Sequence, residues 1–369
     1  MKEYNWRQER EKYRAKPVEE AAQTAAPVEK VPQQEVSHRK ISIGGIFSMI
    51  LTVATILAIG SWCVVHYYLR DSSSRLASAA EIHKEAVGVV TMCFDFKNGQ
   101  KVVVPLGTAW AFAPNKFATN AHVVSAIKGL YKNQIRTAAL DLLALQAIEE
   151  KHASLQEYFQ KKGSTKSKEL IQNAEKEIAS GILAVKVRIN INGVARKSYD
   201  VTHVGIHRSY GETNSNFNPD VAILTIQEQH HIFFKIASKK KLYALKAGKP
   251  IAFLGFPMEN LSNNNINLSN PVASMQSGII VAVSDFSLRD DGNANNVLIR
   301  HNLPATGGAS GSPIFDTAGE VIALLYGGNM LQEKSNGTRM PSAAQINFAV
   351  RADLLEGVEN PVETSVLFK

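Results

Sequence analysis

A chain of 369 residues with 45% hydrophobic and 20% charged side chains has the composition of a folded protein, with room for one large domain or two small ones. Wholesale disorder, a collagen-like chain and a disulfide-stapled miniprotein are excluded. The 41 Lys and Arg against 33 Asp and Glu leave a formal charge of +8, but no segment gathers the charge into a stripe with interleaved aromatics, so no nucleic-acid partner is expected.

Residues 1–40 hold 9 basic and 7 acidic side chains and read as a polar tail. From Ile41 to Val65 the chain then runs 25 residues without a charge, about 37 Å as a helix against a hydrocarbon core of roughly 30 Å. Arg39 and Lys40 precede this run, Trp62, Tyr67 and Tyr68 stand near its far end, and Arg70 and Arg75 follow. The pattern predicts a transmembrane helix over 41–68, with the lipid bilayer as its partner, the tail inside and the bulk of the chain outside. Ala77-Ser78-Ala79 has the form of a signal-peptide cleavage site, but the apolar run is too long for a signal h-region and its leading tail too long for a signal peptide. A buried core helix fits no better, since the polar flanks offer it no amphipathic partner. Cys63 lies in the apolar run and Cys93 beyond it, so no intrachain disulfide is expected.

Residues 69–80, rich in Ser and Ala, read as a linker. Beyond them come short runs of Val, Ile, Leu and Phe bounded by Gly, Asn and Pro: 86–94, 101–105, 108–112, 116–119, 184–191, 201–207, 221–226, 250–255, 278–283, 296–300, 321–326 and 345–350. Close-spaced strands of this kind predict an all-β barrel or a pair of barrels, with Asn192-Gly193 as a hairpin turn. One region breaks the pattern. Residues 125–182 are dense in Ala, Leu, Gln, Glu and Lys, with Leu142, Leu145, Ile148, Leu155, Tyr158 and Phe159 at helical spacing. Gly163-Ser164-Thr165 supplies a stop and an N-cap, so the segment reads as an inserted helical hairpin. An Asn-rich loop spans 260–270, and residues 358–369 read as a C-terminal tail.

Three stretches carry chemistry. Ala118-Thr119-Asn120-Ala121-His122-Val123-Val124 delivers a histidine where an apolar strand ends; Asn218-Pro219-Asp220-Val221 places an acid at the mouth of another; Thr306-Gly307-Gly308-Ala309-Ser310-Gly311-Ser312-Pro313 sets a serine between glycines, in a tight turn followed at once by a strand. Taken singly, His122 could be a packed histidine, Asp220 a turn residue and the Gly/Ser stretch a linker. Together they supply what a serine needs to become a nucleophile: a base within reach, and an acid that fixes the base's tautomer. His203 with His207, and His230 with His231, have no Glu or Cys at metal-binding spacing, so no metal and no cofactor is expected.

The three stretches, in the order His, Asp, Ser, resemble the chymotrypsin-like serine proteases, most closely the catalytic domain of the HtrA/Deg group. The likeness runs over about 85–357 apart from the insertion, and takes in Leu106-Gly107-Thr108-Ala109-Trp110, Leu254-Gly255-Phe256-Pro257, Ser277-Gly278-Ile279-Ile280 and Ile346-Asn347-Phe348-Ala349-Val350. It implies a chymotrypsin-like double β-barrel over 81–357, with Ser310 as nucleophile, His122 as general base and Asp220 orienting it. The backbone N–H groups of Gly308 and Ser310 would form an oxyanion hole. Tyr326 and Gly327 would lie on the strand that pairs with substrate, and Pro304 and Ile346 near the base of an uncharged S1 pocket. Ser312 would serve turn geometry only. Three features depart from the family. Ala309 stands where many relatives carry Asp or Asn, only 21 residues follow Phe348, and 98 residues separate His122 from Asp220. No PDZ domain is therefore expected, and the oligomeric state stays open. The implied function is a membrane-anchored serine endopeptidase acting on proteins or peptides in envelope quality control or regulated proteolysis, on the periplasmic side of a bacterial inner membrane. A catalytically idle scaffold working through the helical insertion is the alternative.

Overall fold

The computed structural model describes residues 43–213, 216–257, 267–327, 330–332, 339–341 and 346–368, with the backbone alone at 43–50, 65–70, 330–332 and 339–341. The polar tail 1–40, the side chains of Tyr67, Tyr68 and Arg70, and most of the Asn-rich loop lie outside the described residues. The chain divides into two compact units, 1–61 and 62–369.

Helix α1 (Ile43–Ile82) opens the described chain. No helix among the described residues is long and apolar enough to cross a membrane. In the stretch whose side chains are described, Leu51, Ile56, Leu57 and Trp62 are all exposed. The expected linker at 69–80 is instead helical: Leu76, Ala79 and Ala80 are buried in the core of the second unit. Alanine favours helix, and this spacing puts the small apolar side chains on one face, which composition alone concealed. His83 then stacks on Phe234 with ring centroids 4.4 Å apart.

Six strands close the first barrel: β1 (Val87–Phe96), β2 (Lys101–Ala113), β3 (Lys116–Thr119), β4 (Ile182–Ile191), β5 (Ser198–His207) and β6 (Ala222–Ile226), in the order β5-β4-β1-β2-β3-β6 with β5 also paired to β6. The runs 101–105 and 108–112 form a single strand. The register shift between Val90 and Thr91 leaves Leu106 of β2 as the bulged residue, next to Pro105, the kind of place where a ladder tolerates proline. Asn192-Gly193 belongs to a longer connection, because β4 and β5 pair only as far as Asn190 and Ser198. There the buried Asn192 side chain donates to Lys84 O and accepts from Ala273 N.

Between β3 and β4 stand three helices, α2 (Ala121–Glu149), α3 (Leu155–Lys162) and α4 (Ser164–Gly181). Gly163, at φ +85°, makes the expected break. A further break falls at 150–154, where Ser154 caps α3 by accepting Glu157 N–H while Glu157 accepts from Ala153 N. The insertion has a small core of its own, built on Ala139, Leu143 and Ala174.

After the short strand β7 (Lys235–Ile236) and helix α5 (Lys239–Tyr243), the second barrel follows: β8 (Pro250–Gly255), β9 (Ser274–Ser284), β10 (Leu298–His301), β11 (Pro313–Asp316), β12 (Glu320–Gly327), a β13 (Met330–Gln332) and β14 (Arg339–Pro341) hairpin, and β15 (Asn347–Arg351). Its order is β11-β8-β9-β10-β15-β12, closed by β11 on β12. The tail is structured as well. Strand β16 (Val358–Glu363) pairs with β5 of the first barrel, and Thr364 Oγ1 donates to Val201 O at 2.8 Å. Two closed six-stranded barrels thus carry the inserted helices.

His301, at the end of β10, is fully buried, and its ring nitrogens lie beside the carbonyls of Leu303 and Phe348 without a hydrogen bond of normal geometry among the described residues. Burial pushes this imidazole from 6.5 down to about 4, so in that interval the unfolded chain takes up the proton and the folded one does not. Stability should therefore fall as pH drops through the interval, by on the order of 3 kcal/mol from this group, and level off below it. Urea titrations at a series of pH values should show a flatter dependence over that interval in His301→Leu than in the wild type.

Candidate active site

His122 sits in the first turn of α2, where backbone N–H groups have no partner within the helix. The Asp220 carboxylate, 98 residues away, supplies one: Oδ1 accepts the His122 backbone N–H at 2.8 Å. Its other oxygen, Oδ2, lies 2.5 Å from His122 Nδ1. An acceptor at Nδ1 assigns the ring proton to that nitrogen and leaves Nε2 as a base. Asp220 is 1% exposed, whereas the His122 side chain is 40% exposed, so a buried anion orients a ring open to solvent. The fully buried Asn120 donates to the Asp220 backbone carbonyl at 2.8 Å and secures the acid's main chain too. Tyr326 packs nearby, its hydroxyl held above the usual phenol range by burial and then by the Asp220 charge. The same two causes, in the same order, raise Tyr210.

The serine turn is built by steric constraint. Gly308 and Gly311 have φ of +85° and +86°, a region open to glycine and costly for other residues. A Cβ on Gly311 would also strike Thr108 O and lie 3.2 Å from Asn120 N, which places this turn against the end of β3, two residues before His122. Thr108 is the clamp. Its N–H donates to Ser310 O (2.9 Å), its hydroxyl donates to Gly308 O (2.9 Å) and accepts from Phe256 N (3.2 Å), and its carbonyl accepts from Thr119 Oγ1 (2.7 Å). On the other side Gly311 N donates to Leu325 O and Leu325 N to Ser312 O, each at 2.9 Å. With the carbonyls so engaged, the N–H groups of Gly308 and Ser310 donate to nothing among the described residues.

Ser310 is partly exposed; Ser312 is fully buried, and its hydroxyl has no partner among the described residues. Ala309 is fully buried in the second barrel's core. No hydrogen bond joins Ser310 Oγ to His122 among the described residues, and in unliganded sites such bonds are commonly long. Tyr326 and Gly327 end β12, with Gly327 opposite Phe348 across a bulge. Pro304 is exposed and Ile346 half-buried, and no described polar or ring contact ties either of them to Ser310. A cavity of 620 Å³ lies elsewhere, lined by Tyr243, Phe286, Arg351 and neighbours, and includes none of these residues. The sequence reading passed over Thr108, Thr119 and Asn120 as working parts; each is a small polar residue at the end of an apolar run, the one signal they gave.

The model of the trypsin-like peptidase domain family matches residues 107–324, more than half of the chain. The chain belongs to that family. No curated protein matches it. Among solved structures, the HtrA-type protease AlgW with a decapeptide is 13% identical with a TM-score of 0.42, covering 76% of this chain and 65% of that one. An inactive serine-to-alanine mutant of Rv3671c from M. tuberculosis is 15% identical with a TM-score of 0.37, covering 76% and 87%. Deg5 is 12% identical with a TM-score of 0.39, covering 77% and 91%. The chain thus spans just under two thirds of the AlgW structure's length.

Removing the clamp hydroxyl in Thr108→Val leaves the Gly308 carbonyl and the Phe256 N–H without it. Denaturant titration should show a loss of about 1–3 kcal/mol, as for buried polar groups left unpaired.

Proposed function

We propose that the trypsin-like domain is a serine endopeptidase working through Ser310, His122 and Asp220. The observation that carries this reading is the buried Asp220 carboxylate on His122 Nδ1, with the clamped turn that holds Ser310 packed against Asn120, two residues before His122. His122 Nε2 takes the Ser310 Oγ proton as that oxygen attacks the scissile carbonyl carbon. The Gly308 and Ser310 N–H groups receive the oxyanion. His122 then returns the proton to the leaving amine as the C–N bond breaks, and water hydrolyses the acyl-enzyme by the same route. Asp220, held on His122 Nδ1, stabilises the imidazolium.

The substrates are proteins or peptides. Pro304 and Ile346 bring no carboxylate to S1, which disfavours Arg or Lys at P1 and favours small or medium aliphatic residues. Residues 41–68 anchor the chain in a bacterial inner membrane, N-terminus in the cytoplasm and peptidase in the periplasm, for envelope quality control or regulated proteolysis. The 25-residue uncharged run supports the anchor.

Cleavage of an unfolded protein substrate by the purified full chain tests the reading. Ser310→Ala should remove activity to background, Asp220→Asn should lower kcat by about 10⁴, and Ser312→Ala should keep most of it. Unchanged cleavage in Ser310→Ala would place the nucleophile elsewhere, whereas no cleavage in the wild type would leave a scaffold on a peptidase fold.

A further inference from the structure

Asp220 is delivered by the connection from β5 to β6, and one residue holds the neck of that connection. His207, the last residue of β5, is 6% exposed. Its backbone N–H donates to Val221 O (3.1 Å), immediately after Asp220, and its carbonyl accepts from Tyr210 N (2.9 Å). Its ring closes the same neck: Nδ1 accepts from the Ser209 backbone N–H at 3.1 Å. The ring stands edge-on to Phe217 at 5.8 Å. Its other nitrogen is packed so tightly on Gly357 that a Cβ there would collide with it. Arg208 N donates to Gly357 O at 3.1 Å, fastening the loop to the segment before β16. Two residues before Asp220, Asn218 Oδ1 accepts from Gly211 N at 2.8 Å, so the loop is drawn together above the neck as well.

We propose that His207 is a positioning residue for the reaction, a clasp whose neutral imidazole closes the neck of the loop that holds Asp220 against His122. The proposal rests on the reading of Asp220 as the group that orients His122. An acceptor at Nδ1 requires an unprotonated nitrogen, so protonation turns the acceptor into a donor facing the Ser209 N–H and breaks the clasp. The charged groups around the ring are Arg208 and Glu212 of the same loop and Glu359 of β16, and Glu359 is itself engaged by Arg208 at 2.7 Å. Burial, then the Arg208 charge, lowers the His207 pKa from the ordinary value, so the clasp stays closed at neutrality and opens on acidification.

The geometry also names a conservative replacement. An asparagine side-chain carbonyl accepts the backbone N–H two residues on, the spacing from His207 to Ser209. The test is kcat and KM for a peptide ester across about pH 5 to 8 on the full chain, in the wild type, His207→Asn and His207→Phe. His207→Asn should keep kcat near the wild-type value at neutrality and show a shallower acid limb. His207→Phe should lower kcat by about 10- to 100-fold, as for a displaced catalytic group, with KM little changed. If His207→Phe does not fold, the acid limb of His207→Asn decides: a limb as steep as the wild type's overturns the clasp. Full kcat in a folded His207→Phe overturns it too. A wild type without turnover at any pH overturns the peptidase reading and the clasp together, whereas turnover with identical limbs overturns the clasp alone.

Discussion

One carboxylate does two structural tasks in this molecule. The Asp220 oxygens take the backbone N–H and the ring Nδ1 of the same residue, His122, so the acid caps the start of a 29-residue helix while it fixes the rotamer and tautomer of a side chain on that helix. The positive end of the helix favours the anion, and burial makes each of the two hydrogen bonds count for more than it would in water. Helix start and imidazole orientation are therefore one problem with one solution. The same helix leads on to the inserted α3 and α4, so the insertion is tied to His122 through continuous backbone.

The second constraint is Thr108, which ties the serine turn between the second barrel's strands to the wall of the first. Its three backbone and side-chain groups meet Ser310, Gly308, Phe256 and Thr119, and the glycine at 311 is required by the approach of the Thr108 carbonyl. The outcome is a pair of N–H groups with no partner among the described residues, beside a partly exposed serine. Unpaired donors are costly in a folded protein, and they persist where surrounding bonds hold the backbone in place. In the proposed reaction this is the pre-organised polarity that would stabilise a developing oxyanion.

Much of this was legible in the sequence because it is local. The glycines around Ser310 declare a left-handed backbone that is costly for other residues, the apolar runs before His122 and after Asp220 declare strands, and the Ala/Leu/Lys/Glu composition of 125–182 declares helix. What escaped notice depends on distant partners. Thr108 looks like any strand threonine until the chain folds two hundred positions back on it. Strand β16, mostly exposed and interrupted by Pro361, has none of the alternation that marks a half-buried strand, and forms because β5 offers an edge. The Ser/Ala segment at 71–80 reads as a linker unless Leu76 is seen to share a helical face with Ala79 and Ala80, and only the barrel surface makes that face worth burying. β11 follows the serine turn at once, and Pro313 as its first residue costs it little.

The central claim is that the clamped turn presents Ser310, and no other serine, to the base oriented by Asp220. Peptide mapping of the intact full-length protein after reaction with a fluorophosphonate tests it most directly, because only an activated serine reacts quickly and the adduct stays on the residue that attacked. The account predicts one phosphonylated serine, Ser310, and no adduct once Asp220 or His122 is replaced. An adduct on Ser312, or labelling no faster than that of an unfolded control, would contradict it.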